Sequence, residues 1–166
     1  MSGETLEFRQ GVKGQKHPGR FLASSMSDGT LRAFGILLAL FQGRGRNGSA
    51  PPLVGLEEPE AALHPAAASV LLGALREAST ISQVLVTSHS PDLLDDKNIP
   101  AESILAVEGR DGITVIGPID EAGRSVLRER LFTPGELLRQ NQLTPSAESF
   151  AEAQAEQPPD LIELAQ

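Results

Sequence analysis

The residues best suited to chemistry are the adjacent acids Glu57 and Glu58, which close the run Leu53-Val-Gly-Leu-Glu-Glu-Pro59, and His89 within Val86-Thr-Ser-His-Ser-Pro91. Two carboxylates side by side repel one another and are costly to bury. They suit a place where solvent, a metal ion or a polar substrate faces them. The run before them is short, apolar and bounded by Pro51-Pro52 and Pro59, so residues 53–56 read as a buried strand rather than a helix. In an open α/β sheet, ligands bind at the carboxyl edge, where both acids would then sit.

The elements that position these residues follow from the next thirty positions. His64-Pro65 reads as a cap with proline at the first helical position, and residues 66–79 continue as a helix rich in Ala and Leu. Residues 83–88, Gln-Val-Leu-Val-Thr-Ser, form the next strand. A strand–helix–strand unit with short connections is a parallel crossover, so both carboxyl ends lie on one edge of the sheet. Glu57 and Glu58 are therefore expected close to Ser88, His89 and Ser90.

Earlier in the chain, residues 5–9 alternate as a short strand, residues 11–19 are loop, and residues 21–23 return to the core. Ser27 and Asp28 are strong capping types ahead of the apolar run 31–41, in which Leu31, Phe34, Gly35, Leu38 and Phe41 recur at helical spacing. Ser27-Asp28-Gly29 reads either as a plain helix cap or as an anion site, with free N–H groups, a hydroxyl and a glycine that admits a phosphate. Residues 43–49, with Arg44 and Arg46, read as an exposed loop. Residues 103–108 and 112–116 suggest a hairpin, and residues 120–131 and 134–139 suggest helices. From Gln140 onward there is no Lys or Arg while acids accumulate, so residues 144–166 are expected to form a disordered or loosely attached acidic tail.

The 166 residues suit one domain, and 40% hydrophobic content suits a globular core. A net charge of −8, from 14 basic and 22 acidic residues, argues against a broad nucleic-acid-binding face. With no cysteine, thiolate chemistry and disulfides are excluded. No apolar stretch is long enough to span a bilayer, and the opening Met1-Ser-Gly-Glu-Thr does not follow the signal-peptide pattern. A soluble, cytoplasmic protein without a membrane partner is the expectation.

Taken in order, Met26-Ser-Asp-Gly-Thr30, Leu53-Val-Gly-Leu-Glu-Glu-Pro59 and Val86-Thr-Ser-His-Ser-Pro91 stand about thirty residues apart. Together they resemble the carboxyl half of ABC-type ATPase heads of the RecF, SMC and OLD kind, within the AAA-family ATPases. The resemblance covers residues 5 to about 143. It implies an α/β P-loop NTPase-like lobe, residues 1–143, with a mainly parallel sheet, flanking helices and a terminal hairpin. It also implies ATP and Mg²⁺ as ligands and a homodimer of heads. By that likeness Ser27, Asp28 and Gly29 are the signature residues that cap the γ-phosphate held by the opposite subunit. Glu57 takes the Walker B position that holds Mg²⁺ through water, where aspartate is commoner. Glu58 is the catalytic glutamate, His89 the switch histidine, and Ala62, Leu63 and His64 lie in the D-loop at the dimer interface.

The departure from the family pattern is the phosphate-cradling motif Gly-x-x-x-x-Gly-Lys-Ser/Thr, which does not occur in the sequence. A partner lobe carrying that loop is the implied complement, and the chain alone is expected to bind ATP weakly or not at all. DNA repair, chromosome maintenance and phage defence are processes the resemblance suggests, with any DNA contact made elsewhere than through this acidic lobe. Two rivals stay open. One is a non-catalytic regulatory or scaffold lobe, which would have no need of both Glu58 and His89. The other is a small hydrolase holding a metal on Glu57, Glu58 and His89, disfavoured because adjacent strand residues point to opposite faces.

Overall fold

The computed structural model describes residues 6–11, 13–14, 17–43, 48–110 and 112–155. Arg44 and Arg46 of the glycine-rich loop and the last eleven residues of the expected tail lie outside them. The chain divides into two compact units, Met1–His89 and Ser90–Gln166. The boundary falls where the strand that ends at Thr87 runs out, because the hairpin beyond it has a core of its own.

The first unit opens with strands β1 (Glu7–Gln10) and β2 (Gly19–Leu22), paired antiparallel with Glu7 opposite Leu22. A 3-10 turn at Ala23–Ser25 leads into helix α1 (Asp28–Phe41). The Ser27 Oγ accepts the Thr30 N–H at 3.2 Å, satisfying one of the amides that a helix start leaves unpaired. Because α1 is apolar nearly all round, its spacing does not reveal which stripe is buried. Ile36 and Leu40 are buried, whereas Phe34 and Leu38 of the expected stripe are exposed.

Strand β3 (Leu53–Glu57) is followed by a 3-10 turn (Pro65–Ala67), helix α2 (Ala68–Ala78) and strand β4 (Gln83–Thr87). β3 and β4 are parallel, in register from Leu53 opposite Gln83 to Glu57 opposite Thr87. Val54 is buried, as are Leu71, Leu75 and Ala78 on α2, while Leu53 and Leu85 on alternate positions are 53% and 55% exposed. One face of this pair is thus covered and the other bears exposed leucines, although parallel strands are ordinarily buried on both faces. The expected α/β class and parallel crossover are present. Among the described residues the parallel part is this single pair, and the other two pairings are antiparallel.

In the second unit, β5 (Leu105–Arg110) and β6 (Ile113–Pro118) form an antiparallel hairpin. Helices α3 (Glu121–Arg128) and α4 (Pro134–Arg139) follow, the latter started by a reciprocal Thr133–Glu136 capping box. Ala101, Ala106, Ile119, Leu127 and Leu137 form the core. The disordered tail expected from residue 144 is corrected over residues 147–155, which form helix α5 (Ala147–Ala155). Like-charge repulsion costs only about 0.2–0.5 kcal/mol per pair, and tertiary contacts outweigh it. Pro145 bridges to Ile119, Ser149 is buried against Gly117, and the Arg110 guanidinium lies 4.2 Å from the Phe150 ring centroid.

Candidate functional site

Strand β3 ends in a turn that the backbone accommodates only by unusual dihedrals. Glu58 has φ 41° and Ala62 has φ 63°, left-handed values that non-glycine residues adopt at a cost of about 1–2 kcal/mol each. Surrounding contacts hold this turn. The Glu58 N–H donates to the Thr87 carbonyl at 2.9 Å, adding one rung beyond the strand pair. The Ala61 N–H donates to Glu58 O and the Leu63 N–H to Glu60 O, both at 3.0 Å. Pro59 is fully buried. Arg32, one turn into α1, donates through a single terminal nitrogen to the carbonyls of Glu57 at 3.2 Å and Glu58 at 2.7 Å.

The left-handed turn carries the Glu58 side chain toward the end of β4, where its Oε1 lies 2.9 Å from His89 Nδ1. A carboxylate can only accept, so Nδ1 carries the proton in this pair. The other ring nitrogen, Nε2, then accepts from water when the ring is neutral and donates when it is protonated. Both side chains are open to solvent, at 79% for His89 and 44% for Glu58. An exposed pair of this kind contributes about 0–1 kcal/mol. Its significance is geometric.

The neighbouring residues divide by partner. Ser27 is committed to capping α1, its hydroxyl 2.8 Å from Thr30 Oγ1 as well. Asp28 is the first residue of α1 and Gly29 the second. A Cβ built on Gly29 would stand 2.6 Å from the Ala62 carbonyl oxygen, so the start of α1 is pressed against the 58–63 turn. His64 caps the 3-10 turn, its Nδ1 accepting the Ala66 N–H at 3.2 Å. That is the capping use its position before Pro65 suggests. Leu63 is half-buried in the same turn. Glu57, the last residue of β3, is exposed and contributes to an open pocket of about 320 Å³ with Arg32, Gly35, Ile36, Leu56 and Pro59.

Among the described residues no three His, Asp or Glu side chains converge as a metal cage. The structure therefore brings Glu58 and His89 together without forming the three-ligand set of Glu57, Glu58 and His89. Sequence reasoning missed two contributors, Arg32 and Glu60. Arg32 could have been noticed as the lone cation in the apolar run 31–41. Glu60, whose Oε1 accepts the Ser88 hydroxyl proton at 2.5 Å, had no such signal.

Residues 15–95, just under half of the chain, match the family described as "AAA domain, putative AbiEii toxin, Type IV TA system". Over these residues the chain is similar to an AAA-domain family. Every candidate site residue, from Ser27 to His89, falls among them. A solved structure from work on ATP-driven dimerization and DNA-stimulated activation of SMC ATPases is similar in fold, with a TM-score of 0.54 and 21% identity. The match covers 77% of this chain and 73% of that one. No curated protein matches the sequence. Within the matched residues, the α1 start, the 58–63 turn and the ends of β3 and β4 lie side by side. Among the described residues no helix is long and apolar enough to cross a membrane.

Proposed function

We propose that this site serves Mg²⁺-dependent ATP hydrolysis at a composite interface, completed by a lobe that carries the phosphate-binding loop and by a second head. The observation that carries the reading is the 2.9 Å Glu58–His89 contact at the carboxyl edge of the parallel pair. Phosphoryl transfer asks mainly for positioning and charge stabilisation. Glu58 is an acceptor able to orient and deprotonate a water. His89, tied to Glu58 through Nδ1, keeps Nε2 for that water or, when protonated, for a phosphate oxygen. Ser27 holds the first turn of α1 in shape, and the N–H groups of Asp28 and Gly29 belong to the amides that a helix start leaves without intrahelical acceptors. They are suited to a phosphate presented by the opposite head.

Glu57 offers one exposed carboxylate, which fits Mg²⁺, an ion that keeps several waters and takes one or two protein carboxylates plus phosphate oxygens. When bound, Mg²⁺ supplies neutralisation of phosphate charge. The turn at Ala62, Leu63 and His64 lies against the α1 start and is the proposed dimer contact. The exposed leucines of the β3–β4 face support the view that further protein covers this sheet.

The test is ATP turnover with Mg²⁺, by this chain alone and after adding a lobe bearing the phosphate loop. Turnover only on mixing is the expected result. Silence from a mixture shown to associate would favour the non-catalytic scaffold reading.

A further inference from the structure

We infer that Glu60 is a positioning residue: through Ser88 it clamps the chain after β4 to the turn after β3 and so holds His89 in register with Glu58. The inference rests on the reading of Glu58 and His89 given above. Three observations support it. The Ser88 hydroxyl donates to Glu60 Oε1 across 28 residues of sequence, and Ser88 is the residue immediately before His89. The second carboxyl oxygen, Oε2, is enclosed and has no hydrogen-bond partner among the described residues. The turn itself holds Glu58 and Ala62 in left-handed backbone, a conformation that non-glycine residues keep only where surrounding contacts impose it.

An enclosed acid oxygen without a partner is a poor choice for stability alone, because an apolar side chain of similar size would avoid the desolvation. What the acid gains in exchange is one hydrogen bond, and that bond fixes the residue next to His89. The exposed Glu58–His89 contact is weak by itself. A rigid link one residue away is what keeps an exposed imidazole at one distance.

The experiment uses the full chain labelled with ¹⁵N and reads the imidazole nitrogens above the histidine titration range. His17 and His64 serve as internal controls among the three histidines. In the unmodified chain His89 is expected mainly as the Nδ1–H tautomer, and Glu58→Ala sets the scale for losing it. Glu60→Leu and Ser88→Ala are each expected to lose at least half as much of that tautomer as Glu58→Ala does. Glu60→Gln, which keeps an acceptor for Ser88, should retain it. Glu60→Leu should also unfold no earlier than the unmodified chain, whereas a merely structural role predicts earlier unfolding. Wild-type His89 signals in Glu60→Leu and Ser88→Ala, with Glu58→Ala shifted, would overturn the positioning role. Unshifted signals in Glu58→Ala would overturn the Glu58–His89 pair itself.

Discussion

The same substitution at two glycines of α1 should act in opposite directions. At Gly29, an added Cβ would stand 2.6 Å from a backbone oxygen of Ala62, which cannot rotate away as a side chain could. The α1 start or the 58–63 turn must therefore retreat. Overpacking of this kind costs about 1–3 kcal/mol, and the gain in helix propensity from Gly to Ala offsets up to about 1 kcal/mol. The net expectation for Gly29→Ala is a loss of up to about 2 kcal/mol. At Gly35, in the middle of the same helix, nothing lies within 4 Å of the added Cβ. Gly35→Ala should then gain about 0.5–1 kcal/mol through backbone entropy. Urea denaturation followed by circular dichroism reads both, and an unchanged slope would show that the denatured state is unaffected. If both variants are more stable than the unmodified chain, Gly29 is not pressed against Ala62, and the link between α1 and the turn is refuted.

Arg32→Ala should lose about 1 kcal/mol, the two carbonyl contacts being charge-assisted but solvent-exposed, and Arg32→Lys should recover part of it in the same denaturation assay, because both contacts come from one terminal nitrogen and an ammonium also carries several donors. Thr133→Ala removes the capping-box hydroxyl and its 2.8 Å contact with Asp95, so thermal unfolding of the second unit should reveal a loss of about 1–2 kcal/mol. The Glu102 backbone N–H, followed by the Arg128 guanidinium at 2.8 Å, holds the Glu102 carboxyl below its ordinary 4.5. Its contribution to stability is therefore complete above that value and lost as pH falls through the folded-state value; a carboxyl ¹³C titration of Arg128→Ala should show Glu102 shifted upward but still below the ordinary value.

Much of the site was legible in the residues themselves. The short apolar run before Glu57, the Pro-capped helix and the second run before His89 specify a parallel crossover, and that topology alone puts the two carboxyl ends together. What the sequence did not reveal is contact-dependent. The left-handed backbone at Glu58 has no glycine to announce it, since Arg32 and the Thr87 carbonyl enforce it from outside the turn. Glu60 reads as one more acid in a polar turn until the partner 28 residues away is known. The tail was misread because charge spacing describes an isolated helix, whereas α5 is held by Ser149, Pro145 and Phe150 packing against the hairpin and its flanks. The buried stripe of α1 was likewise hidden, because an apolar run that is hydrophobic all round does not say which side will be covered.

The most direct test of the central claim compares Mg²⁺-dependent ATP turnover by the reassembled head with and without Glu58→Gln. Loss of a general base predicts a fall of about 100- to 10,000-fold, with ATP still bound and the heads trapped as a nucleotide-dependent dimer. Stability should change by less than about 0.5 kcal/mol, because the Glu58–His89 pair is exposed. Unchanged turnover in a correctly folded Glu58→Gln head would contradict the account.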